Sequence, residues 1–104
     1  MPDRYSVIIL PRAADDLAGI CSYIEQRSPQ NAALVAQRLI SAVDSLDILP
    51  RRYKVHDHRK DPAKTVHSMP VPPFLVYYRV DIRLKTVRIL TVRHGSRRQP
   101  RRLP

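Results

Sequence analysis

Residues 74–93 read FLVYYRVDIRLKTVRILTVR, and the period of this stretch decides the fold. Phe74, Val76, Tyr78 and Val80 fall on one side of an extended chain, with Leu75, Tyr77 and Arg79 on the other. That is the two-residue period of a strand. Asp81–Leu84 reads as a hairpin connection, and Lys85–Arg93 resumes the strand, with Val87, Ile89 and Thr91 opposite Leu90 and Val92. Its middle is apolar on both sides, as in a central strand. Two strands joined by so short a link pair antiparallel.

Working upstream, Lys64–Met69 is a weaker strand, and Pro70, Pro72 and Pro73 mark a turn, since proline cannot donate within a ladder. Residues 51–63, RRYKVHDHRKDPA, show no clear period and read as a basic loop. It is long for a compact domain, and such loops tend to be functional. Before it, Val35, Leu39, Ala42, Val43, Leu46 and Leu49 recur at helical spacing, which predicts a helix over 29–48. Ser28-Pro29 starts it with a capping hydroxyl and a proline at the first helical position, and Pro50 ends it. Ala13, Leu17, Ile20 and Ile24 predict another helix over 12–27, with Asp15 and Asp16 placed in its first turn to favour the dipole. Arg4–Leu10 is β-branched and apolar, a strand ended by Pro11. The order is β-α-α-β-β-β. The expected fold class is α+β, a helical hairpin packed on a mostly antiparallel four-stranded sheet.

With 104 residues the chain makes one domain, here placed at 1–96, with a basic tail at 97–104. The longest aliphatic run near the start is Val7–Leu10, too short for a signal peptide or a membrane span. Cys21 is the sole cysteine, so no intrachain disulfide forms; the expected setting is the cytoplasm. Charge is the most informative number. Of the net +10, residues 1–50 carry 4 basic and 6 acidic side chains, whereas residues 51–104 carry 15 basic and 3 acidic. So one-sided a surface captures polyanions or an acidic protein.

Several chemistries are absent. Gly19 and Gly95 are the only glycines, so there is no phosphate-binding loop. His56 and His58 stand among lysine and arginine, which repel a metal ion; neither a metal nor a cofactor is expected. The remaining bases and imidazoles concentrate in two places. One is the loop, with Arg51, Arg52, Lys54, His56, His58, Arg59 and Lys60. The other is the sheet end, with Arg79, Arg93, His94, Arg97 and Arg98. Arginine holds phosphate bidentately, and histidine moves protons near neutrality. Together they suit metal-free RNA cleavage, but the same residues equally suit holding a nucleic acid or an acidic protein.

The pieces together resemble the RelE/ParE superfamily of toxins from type II toxin–antitoxin systems. Tyr5–Leu10 with Pro11 and Ala14-Asp15-Asp16-Leu17 resembles its first strand and helix, as do Ile20, Tyr23-Ile24, Ser28-Pro29 and Ala32-Ala33. Leu46–Pro50 resembles the end of its second helix, and Phe74–Val80 its core strand. Val87–Arg97 resembles its last strand and the His94-Gly95-Ser96-Arg97 ending, closest to the ParE-like branch. That branch implies inhibition of DNA gyrase without catalysis, and neutralisation by an antitoxin with an acidic amphipathic segment. Arg93, Arg97, Arg98, Arg59 and Lys60 are the expected contacts with target or antitoxin. The RelE-like branch implies ribosome-dependent mRNA cleavage, with Arg79, His94, Arg97 and Lys54 as the catalytic set. A non-toxic nucleic-acid-binding module is the third reading. A homodimer is left open, and no membrane partner is expected.

Overall fold

The computed structural model describes residues 3–95. The proposed tail at 97–104, with Arg97 and Arg98, lies outside the described residues. The elements are β1 (Ser6–Ile9), α1 (Pro11–Glu25), α2 (Pro29–Asp44), β2 (Lys54–Asp57), β3 (Val66–Val71), β4 (Phe74–Asp81) and β5 (Thr86–His94). They form one five-stranded sheet in the order β1-β5-β4-β3-β2. β1 runs parallel to β5, and every other pair is antiparallel. The α+β class and the helical hairpin are as the sequence indicates.

The sheet has five strands rather than four, because the basic stretch at 51–63 contains β2. Val55 is the one aliphatic residue of β2, so no alternation betrays it; pairing with β3 creates the strand. Charged side chains are normal on such an edge. Pro70 also proves to lie inside β3 and not in the turn. The pairing of β2 with β3 stops at Lys54 and Ser68, so Pro70 sits beyond it and its missing N–H costs β2 no bond.

Both helices begin where the prolines indicate. The Ser28 hydroxyl accepts from the Asn31 N–H at 3.3 Å. α2 ends at Asp44, short of the predicted 48, and passes into a 3-10 turn at Ser45–Asp47. Arg52 fixes this end by donating to the Ser45, Ile48 and Leu49 carbonyls at 3.3, 2.5 and 3.1 Å. Helix ends leave carbonyls without partners, and a guanidinium can serve several at once.

The core fills the space between the hairpin and one face of the sheet. Leu39, Val43 and Leu46 meet Met69, Val76, Tyr78, Val87 and Ile89, all at most 1% exposed. Tyr78 donates its hydroxyl to the Pro50 carbonyl at 2.5 Å. Buried His67 stacks on Tyr78 with ring centroids 5.3 Å apart and bonds the Tyr53 carbonyl through Nδ1 at 3.1 Å, so its polar edge is satisfied.

β5 departs from simple alternation. Tyr77 pairs with Thr91 and Tyr78 with Ile89, which leaves Leu90 as an extra residue in a bulge. The bulge moves Val92, and not Thr91, onto the core face with Val87 and Ile89. It also matters at the edge, because β1 pairs with β5 only as far as Ile9 and Ile89. Beyond that point Asp16 takes over, its Oδ2 accepting from the Val92 N–H at 3.0 Å and from the Thr91 hydroxyl. Asp16 therefore lies past the first turn of α1 and completes the ladder instead of serving the helix dipole. Asp16→Ala removes the acceptor of both donors and is expected to lower the unfolding free energy by about 1–3 kcal/mol. Urea denaturation reads this directly, and an unchanged midpoint would refute the edge role.

Candidate functional site

The helices cover one face of the sheet and not the other, and the register shows which side chains share this second, helix-free face, called the open face below. On β4 these are Leu75, Tyr77 and Arg79; their partners are Arg93, Thr91 and Arg88 on β5 and Pro70, Ser68 and Val66 on β3. Lys54 joins them, because it lies opposite Ser68. His56 does too, its ring edge-on to Tyr77 at 4.8 Å between centroids. A recess of about 450 Å³ opens here, lined by Arg52, Tyr53, Lys54, His56, Ser68, Pro70, Leu75 and Tyr77.

The floor of this face is a second, smaller apolar cluster of Val66, Tyr77 and Leu90, with Leu10 and Leu75 beside it. Tyr77 is only 1% exposed. Burial pushes its phenol above the ordinary tyrosine range, against the opposing pull of the nearby Arg93 guanidinium. The Nε atoms of Arg79 and Arg93 are buried and find no hydrogen-bond partner among the described residues. Arg79 faces Arg88 directly across the strands, a like-charge pair that costs stability unless an anion is near. Asp81, the acid closest in sequence, instead accepts the Leu84 N–H at 3.0 Å. Asp57, opposite Val66, shares this face but is taken by Arg59 at 3.0 Å; the remaining guanidinium, ammonium and imidazole groups over an apolar floor can hold carboxylates or phosphates.

The structure brings together some of the predicted residues and separates others. Lys54, Arg79 and Arg93 share the open face. Arg79 and Arg93 do not share one end of it, because Arg93 lies opposite Leu75, about 13 Å along β4 from Arg79 at strand spacing. His94 lies opposite Phe74 and packs edge-on to that core ring at 5.6 Å between centroids, so it belongs to the helix-covered side. Gly95 follows, donating its N–H to the Pro73 carbonyl at 2.7 Å. A Cβ at Gly95 would stand 3.1 Å from that same oxygen, which is why a glycine fits here. Arg59 is paired with Asp57, Nη2 to Oδ2 at 3.0 Å, and with Lys60 lines a separate cavity at the β2 end. The sequence reading missed the His56–Tyr77 contact. With β2 read as loop, nothing placed His56 on a sheet face. Among the described residues no cluster of three metal-ligating side chains occurs.

The ParE toxin of the type II toxin–antitoxin system parDE, as a family model, matches residues 7–99. A curated relative, Toxin RelE2 from Caulobacter vibrioides, is 38% identical over 86 residues, covering 83% of this chain and 90% of that relative. Among solved structures, the chromosomal ParDE TA system from P. aeruginosa superposes with a TM-score of 0.70 at 21% identity, covering 88% of this chain and 96% of that one. The toxin–antitoxin complex RelBE2 from Mycobacterium tuberculosis gives a TM-score of 0.59 at 26% identity, covering 88% and 92%. A small helical hairpin packed on one face of a mostly antiparallel sheet is thus the fold this chain shares with toxins of the RelE/ParE superfamily. This chain belongs to its ParE toxin family, of type II toxin–antitoxin systems.

Burial also raises the Tyr78 phenol pKa strongly, against the nearby Arg52 charge. A phenol whose pKa rises on folding holds its proton more tightly in the folded chain. Its stabilising effect is complete below the ordinary tyrosine pKa of about 10 and fades as pH climbs from there toward the raised value. The urea midpoint is therefore expected to fall above about pH 10, and to fall less steeply in Tyr78→Phe. Identical slopes in the two proteins would contradict this.

Proposed function

We propose that this toxin acts in the cytoplasm, inhibits DNA gyrase without a catalytic step, and is silenced by a cognate antitoxin through an acidic, amphipathic segment. The observation that carries the choice of target is the match to the ParE toxin family, and the catalytic set expected from the sequence is divided between two faces. Lys54 and Arg79 lie on the open face, whereas His94 packs on Phe74 on the other. The cations and the imidazole needed to move a proton at one phosphate do not converge in that set. Membership of the ParE toxin family supports the same target. An antitoxin partner is supported by the net charge of +10 and by a neighbour solved as a toxin–antitoxin complex. Apolar contacts would supply affinity, and charge would speed encounter. No helix among the described residues is long and apolar enough to cross a membrane.

In this reading Arg93, Arg59 and Lys60, with Arg97 and Arg98 of the tail at 97–104, are the set that contacts the target or the antitoxin. Purified full-length toxin should inhibit gyrase supercoiling. Removing residues 97–104 should weaken inhibition about tenfold through lost charge, and His94→Gln should leave it within about twofold, as for a surface change. Retained inhibition without the tail would contradict the tail's role.

A second reading is favoured by one specific observation: His56 stands against Tyr77 on the same face as Lys54 and Arg79. An imidazole thus stands beside those cations, as ribosome-dependent mRNA cleavage would need, with His56 in place of His94. Primer extension on mRNA from a cell-free translation reaction separates the two readings. Intact transcripts are expected; new ribosome-dependent ends that disappear in His56→Ala would replace gyrase with mRNA as the target.

A further inference from the structure

A second recess lies on the opposite side of the sheet from the open face. α1 packs on β5 and α2 reaches β3. At the β2 end of that same side a cavity of about 270 Å³ opens. Val55, Val80, Ile82 and Pro62 form apolar walls, with the buried ring of His67 between them. Arg51, His58, Arg59 and Lys60 line the rest. Only Arg59 is neutralised, by Asp57 at 3.0 Å. Arg51, His58 and Lys60 make no hydrogen bond or ion pair among the described residues. Basic groups gathered around one apolar recess repel each other and await a compact anion.

We propose that this cavity binds a phosphate monoester, with the phosphate against Arg51, His58 and Lys60 and the ester group on Val55, Val80 and Ile82. The charge favours phosphate over carboxylate. A monoester carries about −1.5 to −2 at neutral pH and offers three terminal oxygens, enough for donors arriving from both the 3-10 turn at Pro50–Arg52 and the loop at 58–60. A carboxylate carries one charge and two oxygens. The size points to a small molecule: 270 Å³ is just below the usual range for small-ligand pockets and too small for a helix or a duplex. The apolar walls favour an ester over free phosphate. The site does not rest on the identity of the toxin's target, since Val55, His67 and Val80, which line it, face away from the open face.

The test is a titration of the purified full chain with adenosine monophosphate, inorganic phosphate and adenosine, followed by NMR amide shifts and by thermal unfolding. Adenosine monophosphate should bind most tightly, shift the amides of Val55, His58, Val80 and Ile82, and raise the melting temperature. Arg51→Gln with Lys60→Gln should weaken it about tenfold by removing two charge-assisted hydrogen bonds. The charge-matched control, Arg12→Gln on α1 with Arg27→Gln just beyond its end, should bind as the parent does. His58→Gln, at an exposed position, gives an independent second variant with a smaller loss. Equal affinity in the Arg51/Lys60 variant and the parent would overturn the proposal. So would shifts centred on Lys54, Tyr77 and Arg93, or tighter binding of a hexaglutamate peptide than of adenosine monophosphate.

Discussion

One helical hairpin can cover only one face of a five-stranded sheet, and the rest of this molecule follows from that shortage. β4 lies at the centre of the sheet and has to serve both sides. Phe74, Val76, Tyr78 and Val80 enter the main core, and Leu75, Tyr77 and Arg79 look the other way. The uncovered face cannot be simply apolar, because a large exposed apolar patch associates without selectivity. It cannot be simply polar either, since Tyr77 and Leu90 are held there almost out of solvent. The arrangement adopted is a thin apolar floor flanked in register by long cationic side chains.

That arrangement costs the free protein stability. Arg79 opposite Arg88, and two buried arginine Nε atoms without partners among the described residues, weaken the free protein. An anionic partner that meets those groups gains what the isolated toxin lacks. Sites under this kind of strain recur where binding matters, with the cost borne by the rest of the fold. Here the rest is the main core, with the Tyr78–Pro50 hydrogen bond and the Asp16 carboxylate closing the gap where β1 ends.

The legible parts of the sequence were those with a period or a punctuating residue. The alternation through Phe74–Val80 assigned both faces of β4 correctly, and Ser28-Pro29 placed the start of α2. Features created by pairing were not legible. β2 carries little apolar signal of its own and exists because β3 offers it an edge. The Leu90 bulge leaves no mark in an apolar run, yet it decides which side Thr91 and Val92 face. For the site, residue types were legible and placement was only partly so. Lys54, Arg79 and Arg93 share a face, but His94 turns to Phe74, and the imidazole that joins the cations is His56. Neighbours in sequence at a strand end point to opposite sides of the sheet, so a cluster drawn from sequence proximity splits in two.

The central proposal is that the open sheet face, and not the helical one, is where this toxin works. Growth arrest on induction in cells, compared between two charge reversals of equal size, tests it most directly. Arg79→Glu with Arg93→Glu alters the open face, and Arg12→Glu with Arg27→Glu alters exposed positions on α1 and just beyond its end. With folded protein at matched levels, the first pair should abolish arrest and the second should leave it intact. Arrest that survives the open-face reversal but is lost on reversing the helical positions would contradict the account.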